Sequence, residues 1–324
     1  METSYHVKKI QLLLLFFLFA FVVKGYGQQA KITTVLHFRG SIANYPIEMT
    51  LEIAKESDSI TGSYYYLKNG SENRIYLAGT IKDGEVLLTE SAYNTQKKKY
   101  EQTGFFRLAY VAEMSLNGSW RKDKNTAQDK LLTVKLSCRE NLNAFNPSAY
   151  TFLFSRNKVK LATIAETANP YYQIVVLKIL VNKSMRWIFT EFDDNSLAKD
   201  AAIEVEDLNF DGLLDFKVPI NFPERSKGDF AFLYFIYDPV TKGFKQHLQL
   251  NEMEFLLFDP VKKEVLKVEA DGNGNETYAY YQWYKQRILL VREVKLFEND
   301  LFTHTTTYQI INGKSVKLKT VKMQ

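Results

Sequence analysis

One nine-residue segment, Asp207–Asp215, carries the oxygen-rich pattern that a hard cation requires. Oxygen ligands could come from five of its residues, by side chain or by backbone carbonyl: Asp207, Asn209, Asp211, Leu213 and Asp215. Ca²⁺ takes about six to eight oxygen ligands, and Gly212 permits the tight reversal that such a loop needs. Three carboxylates this close together would repel one another without a cation. The pattern predicts one structural Ca²⁺ site, and the competing interpretation is a surface turn rich in Asp, Asn and Gly.

A second segment, Asp271–Glu276, repeats the alternation of oxygen-bearing residues. Its ninth position is Ala279, so no acid closes the shell. The pattern therefore favours a plain glycine-rich hairpin turn, and whether this turn binds a second ion stays open.

Other reactive side chains are few and scattered. Cys138 is the single cysteine, so no internal disulfide forms; it alternates with apolar residues, as a buried small side chain on a strand would. His37, His247 and His304 are far apart, and no serine-hydrolase elbow, zinc helix or phosphate loop occurs. We expect a protein without catalytic residues. A carbohydrate-active enzyme stays as an alternative, because it needs only two carboxylates placed by the fold.

The elements that position these residues are predicted to be strands throughout. With 46% apolar and 14% aromatic residues the chain is globular, and a formal charge of +5 over 324 residues gives no case for nucleic acid. Eight segments of the first half are rich in β-branched and aromatic residues: Lys31–Arg39, Ile47–Ala54, Ile60–Leu67, Arg74–Ile81, Glu85–Thr89, Glu101–Leu108, Glu113–Trp120 and Lys130–Cys138.

Glycines recur inside four of these strand patterns, where they usually mark bends that let a sheet curl. They are Gly62, Gly79, Gly104 and Gly118. Residues 28–143 are therefore predicted to form an eight-stranded meander or barrel of the lipocalin-like kind. Its interior would hold either its own Tyr and Phe side chains, which we favour, or a small apolar ligand.

A turn-rich segment, Asn141–Ser148, marks the predicted domain boundary. Residues 144–324 are predicted to form a second all-β domain, a sandwich or propeller-like sheet that carries the 207–215 loop. Ser196–Ile203 is expected to be a single short helix. The aromatic segment Tyr278–Tyr284 is a candidate interaction surface, with Tyr281 and Trp283 on one strand face and the other tyrosines on the opposite face.

Residues 1–27 read as a secretory signal peptide. Lys8 and Lys9 precede an apolar run of 12 residues, Leu12–Val23, which is too short to span a membrane as a helix. Gly25 and Gly27 place small residues before a cut at residue 28. Whether cleavage occurs is left open, but the pattern predicts a periplasmic or secreted protein with no membrane span after cleavage.

The C-terminal half, residues 165–324, resembles one bacterial family. The residues that carry this resemblance are the Asp207–Asp215 loop, Phe235–Pro239 with Gly243 and Phe244, Phe258–Pro260 with Lys262, and Tyr280–Lys285 leading into Ile288–Val291. They are similar to the calcium-dependent periplasmic immunity proteins of a bacterium-killing type IV secretion system. The resemblance implies a protein that binds and inhibits a lysozyme-like effector, but it assigns no inhibitory residues and leaves out the first half.

The sequence as a whole predicts an exported, calcium-stabilised, non-enzymatic protein that binds a partner in the cell envelope. The partner could be a peptidoglycan hydrolase. The alternatives are a carrier of a small apolar ligand in the barrel and the carbohydrate-active enzyme. Partner identity, the role of the N-terminal domain and oligomeric state are not encoded in any pattern that we recognise.

Overall fold

The fold comes from a computed structural model, which describes residues 28–111, 115–122, 130–144, 146–159, 171–192, 196–197, 202–221, 230–254, 256–298 and 300–323. The predicted signal peptide lies outside these residues. The described chain is almost entirely β, as predicted, and divides into two compact units. No helix in these ranges combines the length and apolar composition needed to cross a bilayer.

The first unit contains the described residues among 28–30 and 149–197, with Asn221. Its strands are β1 (Gln28–Gln29), β10 (Tyr150–Val159), β11 (Tyr171–Val181), β12 (Ser184–Phe189) and β13 (Ser196–Leu197). Strand β10 pairs antiparallel with β1 and β11, and β11 pairs with β12. Phe152, Phe154, Leu177 and Ile179 are fully buried, so alternation along β10 and β11 supplies the core of this unit.

The second unit contains the described residues among 31–148, 198–220 and 229–324. Its first eight strands are β2 (Lys31–Ile42), β3 (Tyr45–Ala54), β4 (Ser59–Tyr66), β5 (Ile75–Lys82), β6 (Glu85–Asn94), β7 (Lys99–Val111), β8 (Ser115–Arg121) and β9 (Leu132–Cys138). Each pairs antiparallel with the next, and β9 pairs back onto β2. These strands close an eight-stranded barrel, which confirms the predicted architecture.

Glycine allows neighbouring strands of the barrel to approach closely. A Cβ atom at Gly79 would lie 1.8 Å from the carbonyl oxygen of Leu87, and one at Gly118 would lie 2.1 Å from that of Arg107. The β5–β6 hairpin turns through Asp83 and Gly84, which both have positive φ, the conformation that an Asp-Gly pair favours in a two-residue hairpin turn.

The rest of the second unit extends this barrel. Strand β14 (Ala202–Glu206) pairs in parallel with the start of β2 and antiparallel with β15 (Asp215–Asn221). This pairing joins later residues to the barrel, so the compact units differ from the predicted boundary between residues 143 and 144. The predicted helix over 196–203 is wrong where the structure describes it, because Ile203 is buried in β14, next to the barrel.

The chain then forms β16 (Phe230–Asp238), β17 (Gly243–Gln246) and a short helix, α1 (Leu248–Asn251). A six-stranded antiparallel sheet follows in chain order: β18 (Leu256–Asp259), β19 (Glu264–Ala270), β20 (Glu276–Tyr284), β21 (Arg287–Leu296), β22 (Thr303–Ile311) and β23 (Lys314–Met323). One end of this sheet packs on an apolar cluster that also contains Leu208 and Phe210 of the predicted calcium loop.

Candidate functional site

The predicted calcium loop connects the end of β14 to the start of β15. Phe210 and Gly212 have φ values of 62° and 85°, so the chain turns twice through the left-handed region within four residues. Only a glycine adopts this conformation without strain, and Phe210 tolerates it because its side chain is anchored in the apolar cluster. The double turn folds the loop back on its own first residue.

This folding brings together three of the five predicted ligands. The carboxylate of Asp207 accepts hydrogen bonds from the backbone N–H groups of Asp211, at 3.1 Å, and Gly212, at 2.9 Å. Asn209 Oδ1 accepts from the same Asp211 N–H at 3.1 Å, and Asn209 Nδ2 donates to Asp211 Oδ2 at 3.0 Å. The side chains of Asp207, Asn209 and Asp211 therefore share one small polar region.

Asp215 has a different role in the loop. It is fully buried and accepts hydrogen bonds from Leu208 N–H at 2.9 Å and Tyr237 N–H at 2.7 Å. Its carboxylate thereby ties the start of the loop to β16. Leu213 donates its N–H to Asp211 Oδ1 at 2.8 Å. Across the described residues, no three His, Cys, Asp or Glu side chains form a ready-made metal cluster.

The loop carboxylates are electrostatically unfavourable as anions. Burial is the largest cause of a raised pKa at Asp207; with the charges of Asp211 and Glu140 adding to it and the amide hydrogen bonds opposing it, the pKa reaches about 7. Burial likewise raises the pKa of Asp215 well above its ordinary value, with Asp207 and Asp211 adding to the effect. A proton or a cation would relieve this excess of negative charge.

Three contacts attach the loop to the rest of its unit. Asn141 N–H donates to the carbonyl of Gly212 at 2.7 Å, just after the last barrel strand. Trp283 Nε1 donates to the carbonyl of Leu208 at 3.0 Å, from strand β20. Lys263 Nζ donates to the carbonyl of Phe210 at 3.2 Å. The loop therefore joins the barrel to the six-stranded sheet, and its order affects both.

The aromatic segment on β20 divides between two faces as predicted. Tyr281 and Trp283 pack against the buried cluster, and Tyr278 and Tyr280 belong to the other face. Arg292 stacks 3.9 Å from the centre of the Tyr280 ring. The residues packed on the cluster support the loop between β14 and β15, so they are not available as a docking surface.

Sequence reasoning missed a buried polar cluster beside the loop. His37 Nδ1 lies 2.7 Å from Glu140 Oε1, and the thiol of Cys138 donates to Glu140 Oε2 at 3.0 Å. Burial would lower the pKa of His37, but the hydrogen bond and charge of Glu140 outweigh burial and raise it. Burial, with the charge of Glu140, raises the pKa of Cys138, so the thiol is protonated and is not a nucleophile. Cys138 and Glu140 are close in sequence, and the fold brings His37 to them from 103 positions away.

The barrel interior holds another buried carboxylate, that of Glu90. It accepts hydrogen bonds from Tyr64 Oη at 2.7 Å, Trp120 Nε1 at 2.7 Å and Thr103 Oγ1 at 2.5 Å. Tyr64 also packs edge-to-face on Phe106, and the inward residues of the neighbouring strands are buried. These buried side chains lie in the barrel interior.

A groove of about 560 Å³ instead lies on the side of the barrel formed by β6, β7 and β8. Its lining includes Leu87, Phe105, Arg107 and Arg121. Arg107 Nε also donates to Glu85 at 2.6 Å. Leu87 and Arg107 have exposed side chains, so this groove opens to the barrel exterior.

The remaining residues singled out by sequence have local roles. Asp271 is exposed and accepts hydrogen bonds from Asn273 N–H and from the backbone and side chain of Asn275, as in a closed hairpin turn between β19 and β20. His247 Nδ1 accepts the N–H of Leu250 at the start of α1. His304 Nε2 lies 2.8 Å from Asp300. The three histidines stay apart.

No family model matches the chain, and no curated protein matches it. A type IV secretion system related protein of Xanthomonas aligns with 53% of this chain and 90% of its own, at 11% identity and a TM-score of 0.40. A Lactobacillus plantarum protein covers 90% of this chain and 96% of its own, at 10% identity and a TM-score of 0.22. A Bacteroides uniformis protein provisionally named a 6-phosphogluconolactonase covers 89% of this chain and 97% of its own, at 8% identity and a TM-score of 0.23. The Xanthomonas protein is related to a type IV secretion system, the class of system to which the family in the sequence resemblance belongs. At these TM-scores, none of the three structures carries an argument about function.

Proposed function

We propose that this chain is an exported, calcium-stabilised binding protein without catalytic activity. The observation that carries the proposal is the loop between β14 and β15. The loop brings the side chains of Asp207, Asn209 and Asp211 together and buries Asp207 and Asp215. It lies where the barrel and the six-stranded sheet are joined.

The donor set fits Ca²⁺ better than other biological cations. All five candidate ligands offer oxygen, and the two left-handed residues allow the chain to wrap around one point. The amide hydrogen bonds to these carboxylates do not prevent ligation, because each ionised carboxylate has about four lone-pair positions. A divalent cation would also offset the charge that raises the pKa values of Asp207 and Asp215.

Exposed tyrosines on the barrel support a binding role. Tyr76, Tyr93 and Tyr100 lie on adjacent strands, each about half exposed, with ring centres 5.3 Å apart in edge-to-face contacts. Tyrosine is enriched at the energetic centres of protein interfaces. Rings packed edge-to-face do not offer the flat platform on which sugar rings stack, so this cluster favours a protein partner.

The sharper form of the proposal is inhibition of a peptidoglycan hydrolase in the cell envelope. It is supported by the sequence resemblance of residues 165–324 and by the predicted signal peptide. A turbidity assay tests it: the mature protein in stoichiometric excess should protect cell walls from lysozyme-type enzymes, with calcium-free protein as the control. If the protein protected cell walls from none of these enzymes, the inhibitor proposal would be overturned. The calcium-site proposal would not be affected by that result.

The calcium site itself is tested by thermal unfolding of the mature protein in Ca²⁺ and in EGTA. We expect a higher melting temperature in Ca²⁺, and no comparable rise in Mg²⁺, which demands a tighter octahedral shell. Asp271→Asn is the matched control, because it removes one acid from the other Asp-Asn-Gly turn. The same melting temperature in Ca²⁺ and EGTA would contradict the proposal.

The two alternatives from the sequence gain no support from the site. A carrier needs an empty interior, and the described interior is occupied by the Glu90 network and the surrounding apolar side chains. A glycoside-active enzyme needs two carboxylates across a cleft. The buried carboxylates Glu90 and Glu140 are instead hydrogen-bonded within the core.

A further inference from the structure

Strand β23 forms one edge of the six-stranded sheet and is unusually long for an edge. Its ten residues, Lys314–Met323, pair with β22 along one side only. In the described part of the chain nothing pairs with the opposite side, so its N–H and C=O groups face outward. The other edge of the same sheet, β18, has four residues. Natural sheets usually shorten, cover or break their edges, because a free edge is a template for another strand.

The strand also leaves apolar side chains in solvent. Val316, Leu318, Val321 and Met323 are between 39% and 56% exposed, and nine of the ten residues of the strand are exposed to solvent. Proline is absent from the strand, and its single irregularity is a bulge at the position of Leu318. The bulge interrupts the edge at Leu318, and the segments on either side of it stay extended and unpaired on their outer side within the described residues.

The pairing register gives the two faces of β23 different chemistry. One face carries Lys317, Thr320 and Lys322, opposite Tyr308, Thr306 and His304 of β22. The other face carries Lys314, Val316, Lys319, Val321 and Met323. A strand added at this edge would therefore meet a polar, basic face on one side and a mixed face with apolar side chains on the other.

The charge of the strand selects among the strands that could be added. It contains four lysines and no acid, and only Lys322 has a carboxylate partner within the described residues, Asp300 at 3.0 Å. A second copy of β23 would place lysines beside lysines, which is unfavourable. An acidic strand would place carboxylates beside them.

We infer that β23 is a docking edge for an acidic, extended segment of a partner protein, which would add to the sheet as a seventh strand. Main-chain hydrogen bonds would supply affinity, and the lysines with the exposed apolar residues would supply selectivity. This goes beyond the proposed function and does not depend on the calcium site. Edge lysines also serve to prevent aggregation, and the experiment must separate the two roles.

The probe is a capped peptide of alternating glutamate and valine, which matches the basic face and the mixed face in turn. We expect saturable binding by fluorescence anisotropy that weakens as salt rises. Hydrogen exchange should show new protection in β23. The control peptides are one of the same composition with the glutamates grouped, one of alternating lysine and valine, and the first peptide N-methylated at every residue. All three should bind at least about tenfold more weakly, because each lacks the alternation, the charge or the free N–H groups.

Two sets of protein variants complete the test. Lys317→Glu with Lys319→Glu should weaken the peptide by about tenfold or more, whereas Lys82→Glu with Lys135→Glu, the same charge change on the barrel, should have little effect. Thr320→Pro and Val321→Pro remove adjacent N–H groups, of which one faces β22 and the other the free edge. The variant that removes the N–H group at the free edge should keep its melting temperature and no longer bind the peptide.

Three results would overturn the inference. The N-methylated peptide could bind as well as the first, which would show charge attraction without strand addition. The barrel variant could weaken binding as much as the β23 variant. Finally, no peptide could bind while Lys317→Thr with Lys319→Thr self-associates, which would show that the lysines only protect the edge.

Discussion

Replacing Asp207 with asparagine should stabilise the protein without calcium, and calcium should cancel or reverse that gain. In the ion-free protein at pH 8, the buried carboxylate is ionised although its pKa is raised to about 7 from an ordinary value of 3.8. At about 1.4 kcal/mol per unit of pKa, this ionisation costs the folded state about 4 kcal/mol. Asparagine removes that cost.

The substitution also loses part of the amide network around Asp207. A single amide oxygen cannot accept from both Asp211 and Gly212 as the carboxylate does, which costs about 1–3 kcal/mol. In EGTA the net result is a gain of about 1–3 kcal/mol. In Ca²⁺ the variant forfeits the linkage energy, which is about 2.7 kcal/mol when the free ion is 100-fold above its Kd.

Urea unfolding at pH 8 measures both effects on one preparation. A raised folded pKa on an acid also means that ion-free wild-type protein gains stability as pH falls from above about 7 towards 4. Asp207→Asn should lose the part of this dependence that Asp207 supplies and keep the part that Asp215 supplies. If the variant loses the same free energy of unfolding in Ca²⁺ and in EGTA, Asp207 is only a hydrogen-bond acceptor and the reasoning fails.

Three further substitutions test other parts of the structure. Gly79→Ala places a Cβ 1.8 Å from a carbonyl of β6, so the barrel should lose about 3 kcal/mol or more by urea unfolding; a neutral effect would contradict the close strand contact. The raised pKa of His37 gives stability that is full below its ordinary value of 6.5 and is lost as pH rises through the folded value. Glu140→Gln should therefore cost about 3 kcal/mol near pH 6 and less at pH 9, and an equal loss at both would refute the ion pair. Trp283→Phe removes the indole N–H that donates to the loop, so the free energy of unfolding should fall by about 1 kcal/mol and calcium should bind more weakly. An unchanged calcium affinity would contradict this prediction.

The barrel was predictable because its information is local. Each strand from residue 31 to 138 alternates or is rich in β-branched and aromatic residues, and inward glycines such as Gly79 mark where strands cross closely. The prediction of a helix over 196–203 was wrong because it gave Ser196, as a possible helix cap, more weight than the strand preference of the β-branched Ile203. The parallel pairing of Ile203 with Ile32 is 171 positions distant, and no local pattern encodes it.

The oxygen-rich loop between β14 and β15 was predictable as a sequence pattern but not as a structural environment. Residue types and spacing identify the oxygens of Asp207, Asn209 and Asp211, but the burial of Asp215 under β16 depends on Tyr237, 22 positions later. His37 and Glu140 are 103 positions apart, and the sequence around neither residue indicates that the two form a pair. Tertiary pairing decides which polar side chains are buried, and local sequence does not report it.

The most direct test of the central claim is a calorimetric titration of Ca²⁺ into metal-free mature protein. We predict binding of one equivalent, which is lost in Asp207→Ala with Asp211→Ala and retained in Asp271→Ala. Absence of binding, or binding that the double substitution leaves unchanged, would show that the loop between β14 and β15 is held by its own hydrogen bonds and not by an ion.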